Sequence, residues 1–112
     1  MLSSSGKLKG DLTLLNWGDG IFWIMGSYYL RAWHMRWFND QMQDGVSVRD
    51  LGDDICGFAL IGPNSQFVLQ KVAEGDVSKM RFMDCKRLDV GLIQSRVART
   101  VSYTHLTLPT KA

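Results

Sequence analysis

A chain of 112 residues, 46% hydrophobic and 21% charged, has the composition of one soluble globular domain, not of a disordered tail. A formal charge of +2, with no run of Lys or Arg forming a dense patch, argues against nucleic acid as a partner. The longest apolar-rich stretches, Ile21 to Met25 and Phe58 to Ile61, fall far short of the roughly 20 residues a bilayer helix needs, so no membrane span is expected.

Lys7 to Leu15 is predicted as a strand entering a core, and Asp11 is its unusual residue. Leu12, Leu14 and Leu15 follow it, and Gly10 leaves the adjoining backbone uncovered, so a ligand could approach closely. The plainer alternative is a strand-end Asp facing water. Asn16-Trp17-Gly18-Asp19-Gly20 predicts a turn, and Ile21 to Met25 a returning strand that completes a hairpin. Ser27 can cap a helix running to about Phe38, with Tyr29, Leu30, Trp33 and Trp37 on one stripe and His34 and Arg36 at its borders.

Val46 to Leu51 alternates with period two and predicts a half-buried strand, and Ile55 to Ile61 predicts a more fully buried one. Gly62-Pro63 then opens a helix with Val68, Leu69 and Val72 on its apolar face and Gly75 at its far end. Asp89-Val90-Gly91 predicts a turn or bulge, and Leu92 to Tyr103 a strand carrying Arg96 and Arg99. Five strands and two helices place the chain in the α+β class with an antiparallel-rich sheet.

Few residues carry chemistry by spacing alone. Cys56 and Cys85 stand apart in apolar settings without a CxxC, and are read as reduced, buried thiols of a cytosolic-type compartment. His34 and His105 are far apart and lack a second ligand at helical or hairpin spacing, so no metal site is expected. No GxGxxG follows a strand, so flavin binding by this chain is not supported. His34 reads as a helix-surface histidine satisfied by water or a neighbour, and Trp23, Trp33 and Trp37 as core aromatics.

Several segments, in order, resemble a known family. Gly6-Lys7-Leu8-Lys9-Gly10-Asp11-Leu12-Thr13-Leu14 is similar to the glycine-rich strand with an acidic residue found in the glycine cleavage T-protein, an aminomethyltransferase that uses tetrahydrofolate. Phe22 to Ser27, His34-Met35-Arg36-Trp37, Gly57 to Ser65 and Asp76-Val77-Ser78 continue the likeness. Arg96 to Thr104 resembles the strand leading into the family's Tyr-Thr-Gly-Glu signature. The Trp-rich helix and the Gly-Pro turn look most like the folate-binding half of dimethylglycine or sarcosine dehydrogenase-like proteins, whose FAD domain oxidises an N-methyl amine.

The resemblance implies a partial T-protein folate-binding domain over residues 6–104, with tetrahydrofolate and a methylated-amine-derived one-carbon unit as partners and a cytoplasmic location. FAD would belong to a part of the parent outside this chain. Asp11 matches the acidic residue that orients the folate and holds or accepts a proton. Tyr103 matches the signature Tyr close to the folate. Arg96 and Arg99 either meet the folate glutamate tail or lie on a solvated face.

After Tyr103-Thr104 the pattern departs: His105-Leu106 stands where the signature has Gly-Glu. The stretch Val101 to Ala112 resembles a translated sequencing-adapter tail, and residues 105–112 are expected to be a non-family artefact on a truncated, inactive fragment. The alternative is a non-catalytic folate-binding or interaction module on the same scaffold.

Overall fold

The structure is a computed structural model and describes residues 1–100. Their element order is β1 (Thr13–Asn16), β2 (Phe22–Met25), a 3-10 turn (Tyr28–Leu30), α1 (Arg31–Gln41), α2 (Ser65–Val72), β3 (Ala73–Glu74), β4 (Cys85–Val90) and β5 (Ile93–Ala98). Strands β1 and β2 form a two-stranded sheet, and β3-β4-β5 a three-stranded antiparallel one. Two helices with antiparallel sheets make the class α+β, as expected.

The chain divides into two compact units, one holding Met1–Leu14 and Ile24–Phe58, the other Leu15–Trp23 and the residues from Ala59 onward. The β1-β2 hairpin contributes its base to the first and its tip to the second. At the tip, Trp17 N–H donates to the Ile21 carbonyl at 2.9 Å, and Gly18, Asp19 and Gly20 take φ of 81°, 54° and 73°. Three successive left-handed residues explain why glycine flanks the aspartate there.

In the first unit, residues 7–12 form no strand; only a single bridge pairs Leu2 with Leu8. The predicted strand at Val46 to Leu51 is also a loop. Its one acid, Asp50, and Asp53 and Asp54 just beyond it take other partners: Arg31 lies 3.2 Å from Asp50 and 3.4 Å from Asp53, and Arg49 pairs with Asp54 at 2.9 Å. Asp50 also accepts the Gly52 N–H at 2.8 Å, and a local turn of this kind competes with strand pairing. Ile55 to Ile61 has no partner strand among the described residues, and Phe58 is 91% exposed.

The helix begins at Arg31 rather than at Ser27, because Tyr28–Leu30 makes a 3-10 turn first. Its buried face is turned by one residue from the expected stripe. Tyr29 is exposed and Trp33 is held at the rim, with the Lys9 ammonium 5.5 Å and the Arg36 guanidinium 5.9 Å from its ring centroid. His34 is the fully buried residue, with Met35, Trp37 and Phe38 half-buried beside it.

In the second unit α2 is shorter than predicted, because Ala73 leaves helical geometry and pairs with Val90. Two glutamines on α2 hold the loop that follows. Gln66 donates to the Val77 carbonyl at 2.7 Å, while Gln70 donates to the Gly75 carbonyl and accepts the Val77 N–H. Val77 and Met80 are thereby buried, and with Leu15 they form the apolar core.

Strand β4 was not predicted. Lys86, Leu88 and Val90 are half-buried and Arg87 and Asp89 exposed, a period-two pattern hidden by its charges. The reversal falls at Gly91 and Leu92, between the Val90–Ile93 pair, rather than at Asp89-Val90-Gly91. Gly91 takes φ 61° at the first loop position, as a primed hairpin turn requires.

Candidate functional site

Asp11 lies in the extended segment just before β1 and is exposed. Its carboxylate makes no hydrogen bond or ion pair among the described residues, so its acceptors are open to a ligand. The chain around it is a loop and not the predicted core strand, and Asp11 faces water as in the plainer alternative. Tyr103 lies outside the described residues, as does the 105–112 tail.

The neighbouring Gly10 is not left bare. The imidazole of His34 fills the space beside it, and a Cβ at Gly10 would stand 3.0 Å from His34 Nε2. On another side of the ring, a Cβ at Gly26 would stand 3.4 Å from Nδ1 and Cε1 and would collide with Leu12 Cδ2. Neither glycine has a positive φ, so these are glycines of close approach, not of turn geometry. The ring that occupies this cradle supports the backbone leading into Asp11.

His34 is 6% exposed and its Nε2 has no hydrogen-bond partner. This corrects the expectation of a solvated helix-surface histidine. A buried ring nitrogen without a partner is uncommon and costs free energy. The two glycines at 10 and 26 were visible in sequence, but nothing there says that one side chain fills both gaps.

The second unit carries a different polar arrangement. The Arg96 guanidinium lies 4.4 Å from the Trp23 ring centroid and 5.3 Å from that of Trp17. The two indoles meet edge to face at 5.4 Å, and Trp17 Nε1 is buried without a partner. Trp23 is therefore a half-buried stacking surface for an arginine rather than a core residue.

The thiols also differ from expectation: Cys56 is exposed, while Cys85 is half-buried and its thiol pKa is raised, chiefly by burial. Arg31 is pushed further toward its charged form by Asp50 first, then by Asp53. Among the described residues no three His, Cys, Asp or Glu side chains converge as metal ligands. Among the described residues no helix is long and apolar enough to cross a membrane. A shallow groove at the Gly62-Pro63 turn, lined by residues such as Leu60, Ile61 and Val68, contains no titratable group and offers no chemistry.

The family model described as the GCVT N-terminal domain matches residues 1–105. The chain belongs to this family. The aminomethyltransferase of Bacillus licheniformis is 37% identical over 65 residues, 57% of this chain and 18% of that protein. Mitochondrial dimethylglycine dehydrogenase of Homo sapiens is 27% identical over 109 residues, 93% of this chain and 12% of that protein. An aminomethyltransferase of Clostridium botulinum is 25% identical over 88 residues, 78% of this chain and 24% of that protein. The chain thus spans from 12% to 24% of the length of these relatives. No solved structure matches it. Within the GCVT N-terminal domain family, the kinship with aminomethyltransferases and dimethylglycine dehydrogenases read from the ordered motifs stands.

Proposed function

We propose that this chain is part of a tetrahydrofolate-dependent one-carbon transfer domain, from a cytoplasmic protein of the dimethylglycine or sarcosine dehydrogenase type. The observation that carries this reading is an exposed carboxylate with no partner among the described residues, Asp11, within a family match that covers residues 1–105. Tetrahydrofolate, when bound, supplies the nitrogens that take up the one-carbon unit. Asp11 would accept hydrogen bonds from the folate N–H groups and hold a proton at its carboxylate during transfer. His34, wedged between Gly10 and Gly26, would fix the backbone from which that carboxylate projects. Tyr103 is assigned to the folate side of the site by the motif alone.

The exposure of large apolar side chains favours a piece of a larger domain. Tyr29 is 94% and Phe58 91% exposed, which suits surfaces that further chain covers. FAD, in this reading, belongs to another domain of the parent. The sequence departure at His105-Leu106 favours loss of activity in the isolated chain, which keeps the folate-binding module as the second reading.

Calorimetric titration of the chain with tetrahydrofolate is expected to show weak binding that Asp11→Ala abolishes. Micromolar binding left unchanged by Asp11→Ala would overturn the site assignment. Transfer activity in the full-length gene product that survives Asp11→Asn would overturn the proton-holding role.

A further inference from the structure

Helix α2 is amphipathic with its polarity reversed. Gln66 and Leu69 are half-buried, and Gln66 and Gln70 hold the loop at Gly75 and Val77, so the polar side chains serve the inside of the unit. Phe67, Val68 and Val72 fall on the opposite face by helical spacing and are exposed, Phe67 at 64%. A helix of eight residues is stable only through packing, yet this one turns most of its apolar surface outward.

The exposed face continues into the chain before α2. Leu60 and Ile61 are exposed, Ile61 at 75%, and with Gly62, Pro63 and Val68 they line the shallow groove. Val68 lines that groove while Phe67, next in sequence, stands exposed beside it. Between Asp54 and Lys71 the sequence has no charged residue, and Lys71 itself rests 4.7 Å from the Phe67 ring centroid. An uncharged patch with a protruding aromatic ring has the composition of an interface centre rather than of open surface.

A face that carries both an exposed ring and an apolar groove is complementary to itself. We propose that the outward face of α2 and the Leu60-Ile61 groove form a homodimer surface, on which a second copy of this chain docks with Phe67 of each copy in the groove of the other. Both contacts then form at once, and the two-fold arrangement closes without room for a third copy. Leu60, Ile61, Phe67, Val68 and Val72, at roughly 100 Å² of exposed surface each, amount to about 500 Å² per copy and about 1,000 Å² for the pair. That area is at the low end of specific interfaces, enough for a weak dimer and not for an obligate one. The inference does not rest on the folate reading, whose Asp11 lies in the other unit.

The test is sedimentation velocity on the full chain from about 1 μM to about 1 mM, a range that brackets a weak interface. A reversible monomer-dimer equilibrium is expected, half-formed on the order of 100 μM. Phe67→Ser removes the ring and Ile61→Lys puts a charge in the groove, and each is expected to weaken dimerisation about tenfold or more. Both side chains are exposed in the single chain, so urea unfolding of the two variants is expected to match that of the unsubstituted chain. A mixture of the two decides whether the contacts are reciprocal. Each variant keeps the half that the other lacks, so the mixed pair forms one of the two contacts and is expected to associate more tightly than either variant alone. Ile93→Ser, at an exposed residue of β5, is the control and is expected to change nothing. Association that Ile93→Ser weakens as much as Phe67→Ser, or a mixture no tighter than its components, overturns the proposal. A chain that stays monomeric at about 1 mM also overturns it, and leaves this face for a further part of the parent chain to cover.

Discussion

The surroundings of His34 and of Arg96 treat a nitrogen-bearing side chain in opposite ways. In the first unit the ring is buried by removing its neighbours' side chains, with glycines at 10 and 26, and its Nε2 is left without a partner. In the second the guanidinium is stacked on Trp23 and Trp17 and stays exposed. Burial by close approach fixes a volume tightly and carries the cost of an unpaired polar atom, about 1–3 kcal/mol. Stacking at the surface fixes a direction and leaves the donors solvated, at little cost. The first arrangement suits support of a backbone; the second keeps a charged group at the surface.

Substitutions that change volume separate the two regions most sharply. Leu15 is 2% exposed in the second unit, and Leu15→Ala is expected to lower stability by about 2–5 kcal/mol in urea unfolding. A loss under about 1 kcal/mol would mean that the second unit has no core to speak of. In the first unit Gly26→Ala forces Leu12 and the His34 ring to move, at about 1–3 kcal/mol. Gly57→Ala is its control, since a Cβ there meets nothing within 4 Å. Equal stability of the two alanine variants would show that the cradle is loose and does not hold Asp11's backbone.

What could be read from the sequence follows the same division. The hairpin was legible because Gly18-Asp19-Gly20 can take successive left-handed conformations at little cost, and β5 because a turn signal ending at Gly91 precedes it. Strand β4 was hidden because Lys86 is half-buried along its stem while counting as polar. Val46 to Leu51 has a strand's alternation, but Asp50 closes a turn on Gly52 and pairs with Arg31, a tertiary choice that no local window contains. Asp11 was identified as the residue of interest, and its exposure matches the plainer alternative of an Asp facing water, though on a loop rather than at a strand end. The burial of His34 was missed because its cradle joins residues 10, 26 and 34, which are adjacent only in space.

The cost assigned to the unpaired Nε2 can be tested by removing the nitrogen. His34→Phe keeps a flat ring between the glycines and deletes the orphan atom, so it is expected to raise stability by about 1 kcal/mol in urea unfolding. Folate affinity, if His34 only supports the backbone, is expected to change less than twofold. A destabilised His34→Phe chain would indicate that Nε2 has a partner in solution, and the contrast with Arg96 would then narrow to exposure alone.

The smallest effect expected is an acid sensitivity seated in the second unit. The Asp84 carboxyl is held below the usual carboxylate range, mainly by the Arg81 N–H at 2.8 Å and then by the Arg81 charge. Asp76 is lowered first by the Ser78 hydroxyl and next by the Ser78 N–H at 2.8 Å. Both therefore bind protons less readily in the folded chain than in the unfolded one. Their contribution is fully present above the unfolded pKa of about 3.9, and is lost as pH falls through the lower folded value. Urea midpoints measured downward from pH 5 should fall, and Asp76→Asn with Asp84→Asn should flatten that slope. Asp76 is exposed and Asp84 half-buried, and solvent screens the charges around both, so the change is expected to be modest. If the double variant keeps the whole slope, the acid response originates outside these two turns, and the second unit owes its pH dependence to other groups.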